Sequence, residues 1–406
     1  MQFEGDLAGE TPPRVCVVSL REMEAHVARA GGYEFEDIIA RDLDDARILS
    51  PRHAGWSPRR LSLHRWLSRR TALAQRLSPG LQVPALDRDV DLLFISAAQL
   101  WDLSALASVK DWRRRSRVAI CWLQELWMAD IPRNGPLIEA LNAFDHVICP
   151  FHHSAEPLRQ RLDVPVTYLP WGIDALGFCP WPDPPARVID AYNIGGISGV
   201  THDAMVAHAA ATGRFYLHDT TKGRRTVASH VAHRQNYGAT LKRTKYFFSH
   251  KAKVLRPGER GAQEEFGLRY LEGTAAGAIL LGDRVDNPAF HEHLGWPDAV
   301  IQIPYDCPDI GAVIEDLESQ PARIAAARRA NVLNALRHHD HLHRWDRVLD
   351  LAGLAPSPKM QARRAALEAR AAQVEAQIEA GDEAAGSGQE ASGQGDAARD
   401  HRTATA

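Results

Sequence analysis

Two glutamates, Glu264 and Glu272, flank a short apolar loop in EEFGLRYLEGTAAGAILLGD (264–283). A carboxylate has two oxygens and accepts hydrogen bonds from vicinal hydroxyls. Gly267 falls where a loop should turn into a helix. A bare backbone there lets N–H groups approach an anion, and a helix N-terminus favours negative charge. Small residues then lead through Gly277 to the apolar run AILLGD (278–283), a strand buried on both faces. Together these residues suit a ligand with both hydroxyl and anionic groups.

The segment resembles the donor-site signature of the retaining GT-B glycosyltransferases of family 4 and its relatives. That signature reads E-G-F-G-L-x-x-x-E, then a small-residue helix with A-x-G, then an apolar strand. Glu264, Phe266, Gly267, Leu268 and Glu272 match, and Glu265 replaces the usual glycine. The resemblance implies that Glu272 binds the ribose and that Glu264 binds hydroxyls of the donor sugar. It also implies that backbone amides around Phe266–Leu268 face the diphosphate or the sugar. A second match lies in HVICPFHHSAEPLRQRL and VTYLPWGIDALGFCP (146–162 and 166–180). There a strand, a helix capped by Ser154 and a strand lead into a turn holding Pro170, Gly172, Ile173, Asp174, Phe178 and Pro180. The resemblance spans roughly residues 14–354.

Several positions depart from the family pattern. A histidine often follows the third strand of the N-terminal domain, where this chain reads CWLQELW, so Gln124 or Glu125 takes its place. The basic pair that neutralises the diphosphate is missing from its usual position. Lys222, Arg224 and Arg225, or Lys251 and Lys253, are the substitutes on offer, with Arg224 and Lys251 favoured. NIGGISG (193–199) is a glycine-rich turn that would bring Gly195 and Gly196 close to phosphates. No metal site is expected. DLD (42–44) and DRDVD (87–91) read as turn acids, and HHDHLH (338–343) reads as a helix-end histidine cluster.

The elements that must hold these residues follow from hydrophobic patterning. RVCVVSL (14–20), VDLLFISA (90–97), RVAICWL (117–123), HVICP (146–150) and VTYLP (166–170) are apolar strands, alternating with helical stretches. A helix is expected at 22–30, ending at Gly31-Gly32. CPWPDPP (179–185) carries four prolines in seven residues and breaks the pattern. The alternation resumes with VIDAYNIGG, RFYLHD, KYFFSH, AILLGD and AVIQIP between 188 and 304. The expected organisation is an N-terminal Rossmann-like acceptor domain (14–178), a linker (179–186) and a C-terminal Rossmann-like donor-binding domain (187–335). A closing helix (336–355) follows. The fold class is α/β, and the resemblance implies a GT-B architecture with two such domains facing across a cleft. Met360, Leu367 and Val374 repeat every seven residues, with Ala371 and Ile378 at the complementary spacing, so 357–380 reads as a coiled-coil-like helix or a lone one. The Gly/Ser/Gln/Ala-rich tail (381–406) is expected to be disordered.

The 406 residues carry a formal net charge of −3, which argues against a dedicated nucleic-acid binder. Five cysteines form no CxxC pair, and no signal sequence or membrane span is evident. The expected location is the cytoplasm. The basic stretch PRRLSLHRWLSRRTALAQRL (58–77) adds contact with the inner face of a membrane as an expectation, Leu63, Trp66, Leu67, Leu73 and Leu77 sharing broadly one side of a helix. The function expected is transfer of a sugar from a nucleoside-diphosphate sugar to an acceptor hydroxyl of a glycan, lipid or protein. Retention of configuration is implied, with no cofactor beyond that donor substrate. Two other classes remain open: a non-catalytic nucleotide-binding scaffold of the same fold, or a nucleotide-sugar epimerase or hydrolase. A homo-oligomer is a further expectation from the heptad helix.

Overall fold

Runs of β-branched and aliphatic residues become parallel strands in two separate sheets. The computed structural model describes residues 13–397 except 72, 73, 75, 76, 197, 221, 222 and 224, with side chains to 377. The first sheet contains β1 (Val15–Val18), β2 (Ala46–Leu49), β3 (Val90–Ala97), β4 (Ser116–Leu123), β5 (His146–Cys149) and β6 (Val166–Tyr168), in the order β2-β1-β3-β4-β5-β6. The second contains β7 (Ile189–Asn193), β8 (Tyr216–His218), β9 (Thr244–Ser249), β10 (Ile279–Gly282) and β11 (Ile301–Gln302), in the order β11-β10-β9-β7-β8. All ladders are parallel. Helices cover both sheets, so their central strands are buried at nearly every position, Lys245 on β9 being partly exposed. Two Rossmann-like α/β units result.

Strand order reverses between β1 and β3 in the first sheet and between β7 and β9 in the second. At such a reversal the connections leave in opposite directions and open a crevice beyond the carboxyl ends of the strands. The segments after β1, β3, β7 and β9 are therefore where this architecture leaves room for a ligand.

The chain then crosses back. Helix His341–Ala352 packs on the first sheet, where Trp345 lies 5.4 Å from Phe94 and 6.4 Å from Phe35, ring centre to ring centre. Its indole donates to Asp44 Oδ2 at 3.2 Å. Ile173 exchanges backbone hydrogen bonds of 2.9 and 3.0 Å with His339 and His341. One hydrophobic core includes β1 and β3 residues, β9 and β10 residues and this returning helix. Among the described residues no helix is long and apolar enough to cross a membrane.

Four expectations need correction. The helix expected at 22–30 is a single 3-10 turn, Val27–Arg29, and the α-helix runs Ala30–Ile38. Gly31-Gly32 therefore opens a helix instead of ending one. Strand β2 has only four residues, one of them Arg47, and lies at a sheet edge, so apolar patterning passes over it. Ser154 is not a cap: its helix runs His152–Arg159 and its hydroxyl donates to the Leu126 carbonyl at 2.5 Å. The heptad residues Met360, Leu367, Ala371 and Val374 are buried against the chain's own core instead of forming an open seam.

The last helix, Pro358–Ala397, continues over 381–397, part of the expected disordered tail. Extending a helix costs far less than starting one, and Ala, Glu and Gln propagate it well. Residues 398–406 lie outside the described residues.

Because Leu367 is an intrachain core residue, Leu367→Ala should cost roughly 2–4 kcal/mol of stability. Denaturant unfolding and sedimentation on the same sample check this. The expected outcome is a lower midpoint with unchanged mass; a change of mass at constant stability would restore the intermolecular coiled coil.

Candidate active site

The two strand-order reversals face each other across a cleft of about 870 Å³. From the N-terminal unit its wall takes Gln99 and Trp101 after β3, and Gln124, Glu125 and Trp127 after β4. Gln124 is buried, and its amide donates to Ser96 Oγ at 2.7 Å. Glu125 is more open and accepts from the Trp127 indole at 2.5 Å, with Lys253 Nζ at 3.7 Å. Both residues thus stand at the cleft, as expected from their place after the third apolar strand. Gly32 lies under Gln124, where a Cβ would come within 2.3 Å of its amide nitrogen. A Cβ on Gly31 would meet Leu268 of the other unit at 2.6 Å. The glycine pair lets a helix N-terminus press directly on the cleft floor.

The C-terminal wall is built from the segments after β9 and before helix Leu268–Ala275: Ala252, Lys253, Arg256, Glu259, Gly267 and Leu268. Gly267 is the N-cap of that helix and faces open space, since a Cβ there would touch nothing within 4 Å. Phe266 turns inward and packs on Tyr270, Phe290 and His293. Beside this wall, Glu264 accepts from Lys251 Nζ and from Arg260 Nη1, the latter at 3.2 Å. Burial pushes the Glu264 carboxyl up, but Lys251 and Arg260 outweigh it and hold it below the ordinary carboxylate value. Glu264 is therefore an anchored carboxylate, half-buried at the cleft edge.

At the end of β7 the backbone enters the left-handed region at Gly195 (φ 83°) and donates its N–H to Asp219 Oδ2 at 2.8 Å. Arg225 Nη1 donates to the other Asp219 oxygen at 2.7 Å. A Cβ on Gly195 would sit 2.3 Å from Nη2 of Arg269, and a Cβ on Gly196 would meet Leu255 at 2.8 Å. Arg269, the second residue of the helix that Gly267 caps, thus lies against the glycine turn with Nη2 nearest. No carboxylate pairs with it among the described residues. The usual basic position is empty in the sequence of this turn, but a guanidinium reaches the turn from the facing helix. Lys222 and Arg224 lie outside the described residues.

Glu272, the expected ribose ligand, has partners within the protein. It is buried, and its two oxygens accept from Arg234 Nη1 and from the Tyr237 hydroxyl, the latter at 3.0 Å. Arg234 also donates to Glu34 Oε2 at 2.9 Å, on helix Ala30–Ile38 of the N-terminal unit. One arginine therefore ties a carboxylate from each unit. Burial pushes the Glu34 carboxyl up, but Arg234 and His341 outweigh it and bring it down to about 2. Glu265 makes a second tie. It accepts from the backbone N–H groups of His152 and His153 at 3.2 and 3.0 Å, and from Gln263 at 2.9 Å. It is the N-terminal cap of helix His152–Arg159, supplied by the other unit. Burial pushes its carboxyl up, against the pull of Gln263 and His153.

The remaining motifs are structural. Asp44 holds Arg14 and Trp345, Asp42 holds Arg41 and Arg363, and Asp87, Asp89 and Asp91 pair with arginines at the sheet edge. His341 stacks on Phe35 at 4.7 Å and Asp340 pairs with Arg363. No group of three metal-ligating side chains occurs among the described residues. Sequence reasoning missed Arg269, Arg234, Glu34 and Gly31-Gly32. The glycine doublet had a signal, since helices tolerate glycine in the first turn; the lone arginines had none.

No protein-family model matches this chain, and no curated protein matches it. Solved structures similar to it include TarM, at 10% identity and a TM-score of 0.42 over 64% of this chain. The chain spans about half of TarM, 54% of its length. An α,α-trehalose-phosphate synthase (UDP-forming) from Burkholderia vietnamiensis matches at 12% identity, covering 84% of this chain and 100% of that one, with a TM-score of 0.47. A glycosyltransferase from Rickettsia africae matches at 10% identity, covering 83% and 97%, with a TM-score of 0.45.

The Glu34 shift has a measurable consequence. Its folded value of about 2 lies below the ordinary 4.5, so ionised Glu34 stabilises the fold above about pH 4.5. That contribution, on the order of 3 kcal/mol, is lost as pH falls toward 2. Glu34→Gln should therefore show a shallower fall in melting temperature between neutral pH and about pH 3. An acid limb as steep as the parent's would mean that Glu34 is not held ionised by Arg234.

Proposed function

We propose that this chain is a glycosyltransferase that moves a sugar from a nucleoside-diphosphate sugar to an acceptor hydroxyl. The observation that carries this reading is the convergence of two strand-order reversals on one cleft. On its C-terminal side stands an open helix N-cap at Gly267, and the same unit carries a glycine turn met by Arg269 and the anchored carboxylate Glu264. Nucleotide phosphates bind at such reversals because helix N-termini and glycine turns present N–H groups there.

In this reading the donor lies along the C-terminal unit, its diphosphate against Gly195, Gly196 and Arg269, with Lys251 close by. Negative charge grows on the leaving diphosphate as the sugar departs, and preformed cations and dipoles at that point lower the barrier. Glu264 accepts hydrogen bonds from the transferred sugar. Its pairing with Lys251 and Arg260 keeps it ionised and oriented for that purpose. Gln124 and Glu125 on the opposite wall meet the acceptor. The acceptor hydroxyl attacks from the face the diphosphate leaves, giving retention, and a diphosphate oxygen takes its proton. No metal is needed, since arginine and lysine supply the positive charge. Water is kept from the donor by the walls of the cleft between the two units. Glu272 is held by Arg234 and Tyr237, so it ties the two units together as well as offering its remaining lone pairs to a ribose hydroxyl.

A panel of nucleotide sugars, with and without candidate acceptors, tests this directly. Turnover that requires an acceptor supports transfer; turnover without one makes the protein a hydrolase or epimerase; binding without turnover makes it a scaffold. With an active donor found, Glu264→Gln should lower kcat by roughly 10–150-fold, the worth of a charge-assisted hydrogen bond, while free nucleoside diphosphate binds as before. Chelator should leave the rate nearly intact. Loss of activity with chelator and rescue by a divalent ion would contradict the metal-free mechanism.

A further inference from the structure

Helix Ser57–Ser68 buries Ser57, Leu61, His64 and Ser68 against the N-terminal unit. That spacing uses one helical face. The opposite face carries Trp56, Arg59, Leu63, Trp66 and Arg70, spaced three and four apart in turn. Trp56, Leu63 and Trp66 are 66%, 58% and 51% exposed. Scattered apolar residues on a surface are ordinary, but two tryptophans and a leucine in one line are a surface without its partner. The arginines sit on the rings: Arg59 lies 4.8 Å over Trp56 and Arg70 lies 3.8 Å over Trp66. Leu77, just beyond, is also exposed.

The sequence around this stripe is one-sided in charge, although Arg47 pairs with Asp87 and Arg65 with Glu24. Between residues 46 and 86 the sequence has eight arginines and no lysine, aspartate or glutamate. That is +8 within a chain of net −3, so the rest sums to −11. Charge alone would suit any polyanion. The aromatic and aliphatic line suits a partner with an apolar layer beneath its anionic surface, which a bilayer has and a nucleic acid lacks. Tryptophan rings settle at the headgroup level, and arginines keep their charge beside the phosphates.

The stripe also stands beside the cleft. Arg65, on the same helix, lines the cleft, and so does Trp101, whose ring lies 5.4 Å from Arg69. We propose that the outer face of helix Ser57–Ser68 docks on an anionic lipid bilayer, with its tryptophans and Leu63 in the headgroup layer. The cleft mouth is thereby held at the surface. This orientation favours an acceptor carried by a lipid; that clause rests on the transferase reading, whereas the docking does not.

The test uses the full chain and vesicles of phosphatidylcholine alone or with about one third phosphatidylglycerol. Co-sedimentation should show at least about tenfold preference for the anionic vesicles, falling as salt rises. Brominated lipid should quench part of the tryptophan emission, and Trp56→Phe/Trp66→Phe should abolish that quenching. Arg59→Gln/Arg60→Gln/Arg69→Gln/Arg70→Gln should lower binding about 100-fold, since each basic residue contributes severalfold. Unchanged circular dichroism and melting temperature qualify each variant. Equal binding to neutral vesicles overturns the proposal, as does no binding to either. So does unchanged quenching in the phenylalanine variant, or equal affinity for a soluble polyanion such as heparin without competition from vesicles. None of these readouts needs a donor sugar, so failure of docking and failure of the transferase reading are told apart.

Discussion

Arg234 is the charge on which the relation of the two units depends. It is buried between Glu34 of the first unit and Glu272 of the second, with Phe178 and Tyr237 against its guanidinium. Charges taken out of water are costly unless paired, and removing one partner of such a group typically costs several kcal/mol. Neither carboxylate can withdraw without leaving the arginine partly unpaired. The distance between helix Ala30–Ile38 and helix Leu268–Ala275 is thereby set, and with it the width of the cleft. Glu265 reinforces this at the other side by capping a helix of the opposite unit. Helix His341–Ala352 adds an apolar tie through Trp345.

With that frame in place, the site follows from topology. Both units put their strand-order reversals toward the cleft, so backbone N–H groups and loop side chains converge there without special sequence. Side-chain chemistry then differs between walls. The C-terminal wall has Lys253, Arg256 and the open N-cap at Gly267, with Glu264, Lys251 and Arg260 grouped beside it. The N-terminal wall has Gln124, Glu125, Trp101 and Trp127, polar and aromatic groups suited to an uncharged acceptor. The Arg269 contact with Gly195 brings a positive charge to a turn that has none in its own sequence.

Much of the architecture was legible in the sequence because buried parallel strands are continuous apolar runs. Ten of the eleven strands carry that signal, and the proline cluster at 179–185 falls between the sheets. Strand β2 did not, since an edge strand of four residues is half-solvated. Glycine usually ends helices, so Gly31-Gly32 reads as a stop; here the pair packs closely on Leu268 and Gln124 at a helix start. Glu264, Gly267, Gln124 and Glu125 were placed at the cleft by motif and strand ends. Glu272 was assigned to a ligand, yet it is held by Arg234. That pairing is set by residues 38 positions apart and by a second carboxylate, Glu34, from the other unit, and no local pattern encodes it. The heptad of the last helix was real, but periodicity does not say whether a seam meets another chain or its own core.

The central claim is that the diphosphate of the donor rests on the glycine turn at Gly195 under Arg269. Titration calorimetry with free nucleoside diphosphates and the matching phosphate-free nucleosides, on the parent and on Arg269→Gln, tests it most directly. The account predicts that the substitution weakens diphosphate binding by roughly 10–150-fold, the worth of a hydrogen bond to a charged group, and leaves nucleoside binding unchanged. Equal diphosphate affinity in a folded Arg269→Gln protein would place the phosphates elsewhere and contradict it.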